Sequence, residues 1–575
     1  MQLHGRPLLL AVLIGLGTAG SAAPSPAAAQ DRGVPSRDGL VVSTDSLASE
    51  VGAAILRQGG NAVDAAIATS FALAVTHPAA GNIGGGGFMV IAPPGAEPVT
   101  IDYREKAPGR STPTMYLSPD GSIDRSLTAT GYLAPGVPGT VRGLALAHER
   151  FGSLPWSALV LPSVELAERG FLLSESLARS LNGQVAGPMK PFPASVAAYG
   201  KPGGGEWQAG DRIVLADLGR TLRAIATDGP DAFYRGWISD RIADDLAVHG
   251  GIITREDLAA YQAKVRAPVR GTYKGYEILS MAPPSSGGTA LVQMLNLVEP
   301  LDLARHPRLA PLTLHWLIEA RRLAFLDRAR HLGDPDFVAV PVARLTAKAH
   351  ADSLRALIAP DHAGNSVELG KDIVTVTETE SDETTHFSVI DRTGLAVSTT
   401  TTLEGGYGSH VVVEGAGFLL NNEMGDFNRK PGETNTRGDI GTAANLIAPG
   451  KRMLSSMTPT IVRKDGRAVL ITGSPGGRTI INTVFDIVLN VLEFGMSARD
   501  AVDAPRLHHQ WLPDQATLEA DAVMPSVLDS LRAMGHVITM RGRQGDGHTI
   551  VVDLDTGIAW GAADRRSANS RAATP

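Results

Sequence analysis

Between residues 31 and 75, short apolar runs alternate with helical periodicity. Leu40-Val41-Val42 reads as a strand. A helix is expected from Asp45 to Gly59-Gly60, and Asn61 is placed to cap a second, alanine-rich helix that stops before His77-Pro78. Four glycines, Gly84 to Gly87, then enter the apolar strand Phe88-Met89-Val90-Ile91. A phosphate cradle would need a following Lys-Ser/Thr, so tight backbone packing is the better reading. From about 130 to 350 the pattern is mainly helical, clearest from Leu314 to Leu332. That segment runs into a turn holding Asp334 and Asp336. Both could ligate a metal, but a helix-ending turn explains them more simply. Glu378 to Glu383 is acidic and polar and reads as an exposed linker.

At Thr384 the apolar period drops to two. Thr384 to Asp391 and Leu395 to Leu403 form a hairpin about Arg392-Thr393-Gly394. A second hairpin, Ile461 to Arg463 with Ala468 to Thr472, turns at Lys464-Asp465-Gly466. A strongly striped helix follows from about Arg478 to Phe494. Gly495 sits at its C-terminal cap, and Ser497 with Asp500 starts the next helix. Strands packed on such helices predict a layered α/β sandwich, and no fixed-period repeat is present.

Composition narrows the classes. The 575 residues are 43% hydrophobic and 19% charged, which is ordinary globular composition. A net charge of −7 argues against a general nucleic-acid binder. With no cysteine there is no disulfide, thiolate catalysis or Cys-ligated metal. The start of the chain stands apart. Arg6, the apolar run Leu8 to Leu16 and small residues ending at Ala27-Ala28-Ala29 have the layout of a secretory signal peptide over residues 1–29. The run is too short to span a bilayer comfortably, so export to the periplasm or medium is expected, with no membrane span in the mature form. Gly15 to Gly20 matches G-x-G-x-x-G, but it follows no strand and lies in this removable segment.

The hairpin brings two hydroxyls together. If Asp391 pairs with Leu395, positions equidistant from Thr393 face each other, and Thr384 faces Thr402 on one side of the sheet. A threonine hydroxyl is a poor nucleophile without an adjacent base. A cut before Thr384 would supply one, an α-amine with a pKa of about 8. Thr402 could then hold and polarise the nucleophile. The plain alternative is a threonine-rich hairpin with no chemistry.

Several segments carry a family resemblance. Glu383-Thr384-Thr385-His386-Phe387-Ser388-Val389 resembles the processing site of the γ-glutamyltransferases (γ-glutamyltranspeptidases), members of the N-terminal-nucleophile hydrolase superfamily. So do Ile101 to Glu105, Leu420 to Met424, Leu454 to Thr460 and Gly473 to Gly477, in the same order along nearly the whole mature chain. The resemblance implies a four-layer αββα sandwich. It implies self-cleavage between Glu383 and Thr384, giving a large subunit, 30–383, and a small one, 384–575, that share one core as a heterodimer. It implies catalytic roles for Thr384 and Thr402, and an oxyanion site at the Gly476 and Gly477 amides before a helix N-terminus. Arg104 would bind the donor's α-carboxylate as a bidentate fork, with Ser455 and Ser456 beside it. Glu423, Asp426 and Glu404 would hold the α-ammonium. The expected donor is glutathione or another γ-glutamyl compound, the acceptors water, amino acids or dipeptides. No cofactor or metal is implied.

Two rivals remain. A glutaryl-7-aminocephalosporanic acid acylase of the same fold acts on an acyl group lacking the ammonium, which would leave Glu423 and Asp426 facing it unpaired. A non-enzymatic exported binding protein would not need Thr384, Thr402 and Gly476-Gly477 intact. A serine hydrolase lacks its motif, because Ser474 has no glycine two residues before it. His508 and His509, adjacent and pointing apart, suit structural roles. Pro431 to Pro449 should form a lid, with Arg437 where some relatives place an aromatic gate residue.

Overall fold

The computed structural model describes residue 2 and residues 31–373, 375–376, 383–432, 434–435, 443–519 and 523–575. The rest of the signal segment, Glu378 to Asp382 of the acidic stretch and the gate position Arg437 lie outside them.

Local signals build the expected helices. The Asp45 side chain accepts from Ala48 N–H and starts the helix Ser46–Arg57. Asn61 and Asp64 form a reciprocal capping box at the head of Ala62–Thr76. That helix is buried on all sides, which its alanine-rich sequence permits. Among the glycines 84–87, a Cβ at Gly84 would lie 2.1 Å from Leu419 O, and one at Gly85 2.2 Å from Thr402 O. These glycines therefore serve close packing, as expected.

Two seven-stranded sheets form the centre. In the first, the strand order is Arg571–Ala573, Gly39–Ser43, Thr385–Asp391, Ala396–Thr402, Gly86–Ala92, Val99–Asp102, Lys264–Arg266. In the second it is Val34–Ser36, Ile558–Ala563, His548–Asp553, Arg467–Thr472, Thr460–Lys464, Tyr276–Ser280, Val269–Tyr273. Every neighbouring pair is antiparallel. Both sheets mix strands from before and after Thr384.

Alternation along the strands sorts the layers. Leu40, Val42, Val90 and Ile390 of the first sheet meet Leu279, Ile461, Ile471 and Ile550 of the second. The opposite face of the first sheet, with Val41, Ile91, Phe387 and Val397, packs on the helices Ser46–Arg57, Ala62–Thr76 and Trp156–Arg169. The far face of the second, with Val269, Ile278, Val462 and Leu470, packs on Gly287–Val298, Pro311–His331 and Thr479–Leu492. This is the four-layer αββα sandwich.

The stretch from 130 to 350 is mainly helical, as expected, but it also contains a hairpin that the sequence reading missed, Val269–Tyr273 with Tyr276–Ser280. It turns at Lys274 and Gly275, with φ of 47° and 80°. A two-residue turn with both φ positive is a strand-joining turn, and this cue was buried among helical neighbours.

Candidate active site

The hairpin register is the one the turn dictates. Thr385 pairs with Thr401, His386 with Thr400 and Ile390 with Ala396. Gly394 takes φ +87° in the loop, and Asp391 Oδ1 accepts from Thr393 N–H, Thr393 Oγ and Leu395 N–H. Thr384 lies one step beyond the paired strand, next to Thr402. With the chain continuous here, the Thr384 hydroxyl donates to the Glu383 carbonyl at 2.6 Å. The Thr402 hydroxyl reaches the same oxygen at 3.2 Å and accepts from Glu404 N–H at 2.8 Å. The second hydroxyl thus meets the carbonyl before the nucleophile, and the expected direct contact between the two hydroxyls is replaced by a shared acceptor. Asn82 fixes this end of the strand by donating to Thr402 O at 2.8 Å.

A cavity of about 390 Å³ opens at this point. It is lined by Glu383, Thr384, Thr402, Glu404, Arg104, Glu423, Asp426, Ser455, Ser456 and Gly477. Arg104 is buried and bonds Glu423 at 2.8 Å and, more closely, Asp426. Its backbone is tied by N–H to Asp102 Oδ1, while Asp102 also binds Arg266 and Arg452. Asn421 accepts from Glu423 N–H and donates to Gly84 O and Gly136 O. Asn422 accepts from Gly405 N–H. The two asparagines thereby fix where Glu423 and the 404–410 loop stand. Glu404 itself has φ 78°, a strained backbone for a non-glycine residue.

Burial sets the charges. Desolvation would weaken Arg104, but Glu423, Asp426 and Glu105 outweigh it and hold the guanidinium protonated. Desolvation pushes the Glu423 carboxyl well above its ordinary range against the pull of Arg104. It pushes Glu105 up to about 8. Arg104 is thus a buried cation beside Glu423 and Glu105, two carboxyls that burial drives toward the neutral form.

Gly476 and Gly477 have φ of 123° and 53°, ahead of the helix Thr479–Leu492. Neither amide N–H finds an acceptor among the described residues. A Cβ at Gly476 would lie 2.4 Å from Thr479 Oγ. Gly476 lines a second cavity, which shares Glu383 and Thr384 with the first, so the glycine pair spans the two. Two residues after the nucleophile, His386 is buried. Its Nδ1 meets Thr400 Oγ at 2.9 Å and its Nε2 meets Ser388 Oγ at 3.1 Å. Desolvation keeps it neutral.

All the residues expected at the site therefore converge on Thr384, although Gly476 looks into the second cavity. Two contributors were missed. Glu105 lies buried 3.7 Å from Arg104. Arg328, from the helix Pro311–His331, donates to Ser456 Oγ at 3.1 Å. Glu105 had a sequence cue, an adjacent opposite charge at a buried strand end; Arg328 had none. The other candidates stand outside. Asp334 accepts from Arg452 N–H, and Asp336 binds Lys264 and Arg266. His508 bonds Asn482 and Gln510, while His509 faces Asp514. Ser474 Oγ accepts from Asp546 N–H. Among the described residues, one group has metal-ligand spacing: His315, Glu319 and His536. His315 bonds His536 and Ala359 O, and Glu319 bonds Arg322.

A stacked pair of antiparallel sheets between helices, with a hydroxyl at a strand start beside paired glycine amides, defines an N-terminal-nucleophile hydrolase. The comparisons narrow this class. The family profile described as Gamma-glutamyltranspeptidase matches residues 48–574. A glutathione hydrolase proenzyme of Escherichia coli (strain K12) is 44% identical over 536 residues, covering 93% of this chain and 91% of that protein. A glutathione hydrolase proenzyme of Pseudomonas sp. (strain A14) is 43% identical over 511 residues, 88% of each. The crystal structure of cephalosporin acylase from Bacillus halodurans superposes with a TM-score of 0.82 at 25% identity, covering 97% of this chain and 99% of that one. The chain belongs to the gamma-glutamyltranspeptidase family, and is an enzyme with an N-terminal threonine nucleophile. No helix among the described residues is long and apolar enough to cross a membrane.

Proposed function

We propose that this chain is an exported proenzyme that cuts itself before Thr384 and then moves γ-glutamyl groups from glutathione and related amides to water or amines. The observation that carries the reading is the meeting of the Thr384 and Thr402 hydroxyls on the Glu383 carbonyl oxygen. Thr384 Oγ attacks that carbonyl carbon, and the Glu383–Thr384 C–N bond breaks as the ester forms. The Thr402 hydroxyl stabilises the charge developing on the oxygen. Water hydrolyses the ester. This leaves a fragment ending at Glu383 and one of 192 residues beginning with the free amine of Thr384. Both curated relatives above are named proenzymes, in keeping with this.

In turnover the new α-amine takes the proton from Thr384 Oγ as it attacks the γ-amide. The Gly476 and Gly477 amides receive the oxyanion. The amine half leaves with a proton, and water or another amine attacks the glutamyl ester. Arg104 with Ser455 and Ser456 receives the α-carboxylate. Glu423, Asp426 and Glu404 receive the α-ammonium, whose charge draws the buried Glu423 carboxyl into its ionised form. A glutaryl group supplies no such cation, so the acylase reading is the weaker one despite the likeness to a cephalosporin acylase.

The test pairs two measurements. Thr384→Ala should stay a single band on denaturing electrophoresis, whereas the wild type gives two, with mass spectrometry placing one amino terminus at Thr384. The wild type should hydrolyse a γ-glutamyl anilide far faster than a glutaryl anilide. Cleavage elsewhere, or a glutaryl preference, would overturn the reading. The same mass spectrum locates the export cut expected near Ala29.

A further inference from the structure

Two arginines hold the stretch of chain that carries Ser455 and Ser456. Arg104 donates to Leu454 O at 3.1 Å. The other is Arg328, a buried residue of the helix Pro311–His331 that also lines the donor cavity. Its Nε donates to Ser286 Oγ at 2.9 Å and its Nη2 to Ser456 Oγ at 3.1 Å. Ser286 is buried and directly precedes the helix Gly287–Val298. It gives two bonds to one acceptor: its hydroxyl reaches Ser455 O at 2.7 Å and its N–H the same oxygen at 2.8 Å. Ser455 N–H in turn donates to Pro284 O at 3.0 Å. One guanidinium thus joins three stretches distant in sequence: its own helix, the turn at Pro284 to Ser286, and the serine pair.

The direction of these bonds matters. A guanidinium has only donors, whereas a serine hydroxyl offers one proton and two lone pairs. Ser456 Oγ must therefore accept from Arg328. Ser455 Oγ also accepts, from Met457 N–H at 3.1 Å. Among the described residues neither hydroxyl gives its proton to a protein acceptor, and both serines line the cavity. Their protons are therefore available to a group inside it. A carboxylate brings two acceptor oxygens to such a pair. A carboxamide brings one acceptor and an NH2 donor, so one hydroxyl loses its bond. The buried positive charge on Arg328 acts in the same sense, favouring an anion over a neutral group.

Resting on the γ-glutamyl reading above, we propose that Arg328 is a positioning residue for the donor's α-carboxylate. It holds Ser456 Oγ as an acceptor and, through Ser286, fixes the Ser455 backbone. Both hydroxyls are thereby set as proton donors, and the cavity gains its preference for an anionic over an uncharged group at the α-carbon. Arg328 acts through the serines, and the acyl-transfer steps stay as written.

The experiment compares γ-glutamyl 4-nitroanilide with its α-carboxamide analogue in wild type, Arg328→Met, Arg328→Lys and Ser286→Ala, each used as matured, two-band enzyme. The quantity read is the ratio of kcat/KM for the carboxylate over the carboxamide substrate. Loss of one charge-assisted contact predicts that Arg328→Met lowers this ratio about tenfold, chiefly through a higher KM for the carboxylate substrate. Arg328→Lys keeps the charge and should recover part of the ratio. Ser286→Ala keeps the arginine but cuts its tie to Ser455, and should lower the ratio about threefold. It also carries the test where Arg328→Met does not mature. An unchanged ratio in these variants would overturn the assignment, as would an equal loss on both substrates, the signature of a merely structural role. A wild-type enzyme inert on both anilides would instead strike the γ-glutamyl reading itself.

Discussion

Thr402 is the residue whose task the sequence half revealed. The hairpin count placed it beside Thr384 from turn chemistry alone, because a fixed loop fixes every pair beyond it. What the count missed was its target: the hydroxyl reaches the Glu383 carbonyl at 3.2 Å. Under the proposed self-cleavage, that contact gives it the task of an oxyanion donor. Thr402→Val keeps the shape and removes the donor, so the cleavage rate should fall by about 100-fold, the usual effect of deleting one such donor. Thr402→Ser should cleave at close to the native rate. Timed electrophoresis of freshly refolded precursor reads both, and equal rates for Val and Ser would show that the hydroxyl does nothing for the cut. Arg104, Glu423 and Asp426 were legible through the resemblance alone, since isolated arginines and loop carboxylates look ordinary. Arg328 was illegible because its partner Ser456 lies far along the chain, and only the packing of a helix over the second sheet joins them.

At the scale of elements, capping and turns carried most of the information. Asp45, Asn61, Ser497 and Gly394 each do locally what their sequence context dictates. The motif Gly473 to Gly477 was legible as a motif, but the reason for its first glycine was not. A Cβ on Gly473 would lie 2.3 Å from the His386 ring, which is pinned between Thr400 and Ser388. The two sheets therefore meet so closely behind the nucleophile that only hydrogen fits. Gly473→Ala should force the ring or the strand aside. Overpacking of this kind costs about 1–3 kcal/mol, and the displacement propagates along the strand to Thr384 two residues away. Lower thermal stability and slower self-cleavage should appear together in this variant. A variant with normal stability and normal maturation would mean that the gap between the sheets is softer than the contact distances imply. The hairpin at Lys274 and Gly275 was missed for the opposite reason: its turn cue is short and sits between long helical patterns that dominate any local window.

The whole molecule shares its core across the proposed cut, since both sheets interleave strands from either side of Thr384. Stability of the matured enzyme is therefore a property of both fragments together, and buried titratable groups on each should give it a distinct pH dependence. Desolvation lowers His77 and His509 to about 4 and His508 and His536 to about 3, with His386 well below its ordinary value. Each binds fewer protons folded than unfolded between its folded value and 6.5, so stability rises with pH across that range and is lost as pH falls from about 6.5 toward 4. Glu105 works the other way. Desolvation raises it to about 8, so the folded state binds more protons and stability falls as pH rises from about 4.5 to 8. Where the two windows overlap, the several histidines outweigh the few raised carboxyls; above 6.5 only the carboxyls still titrate. The thermal midpoint should accordingly peak near pH 6.5, dropping steeply on the acid side and gently on the alkaline side. Glu105→Gln should flatten the alkaline limb while leaving the acid limb in place. Scanning calorimetry at fixed ionic strength between pH 4.5 and 8.5 measures both limbs. A midpoint that stayed level from pH 6.5 down to 4.5 would mean that these imidazoles gain protons without cost, which the dry packing around them does not allow.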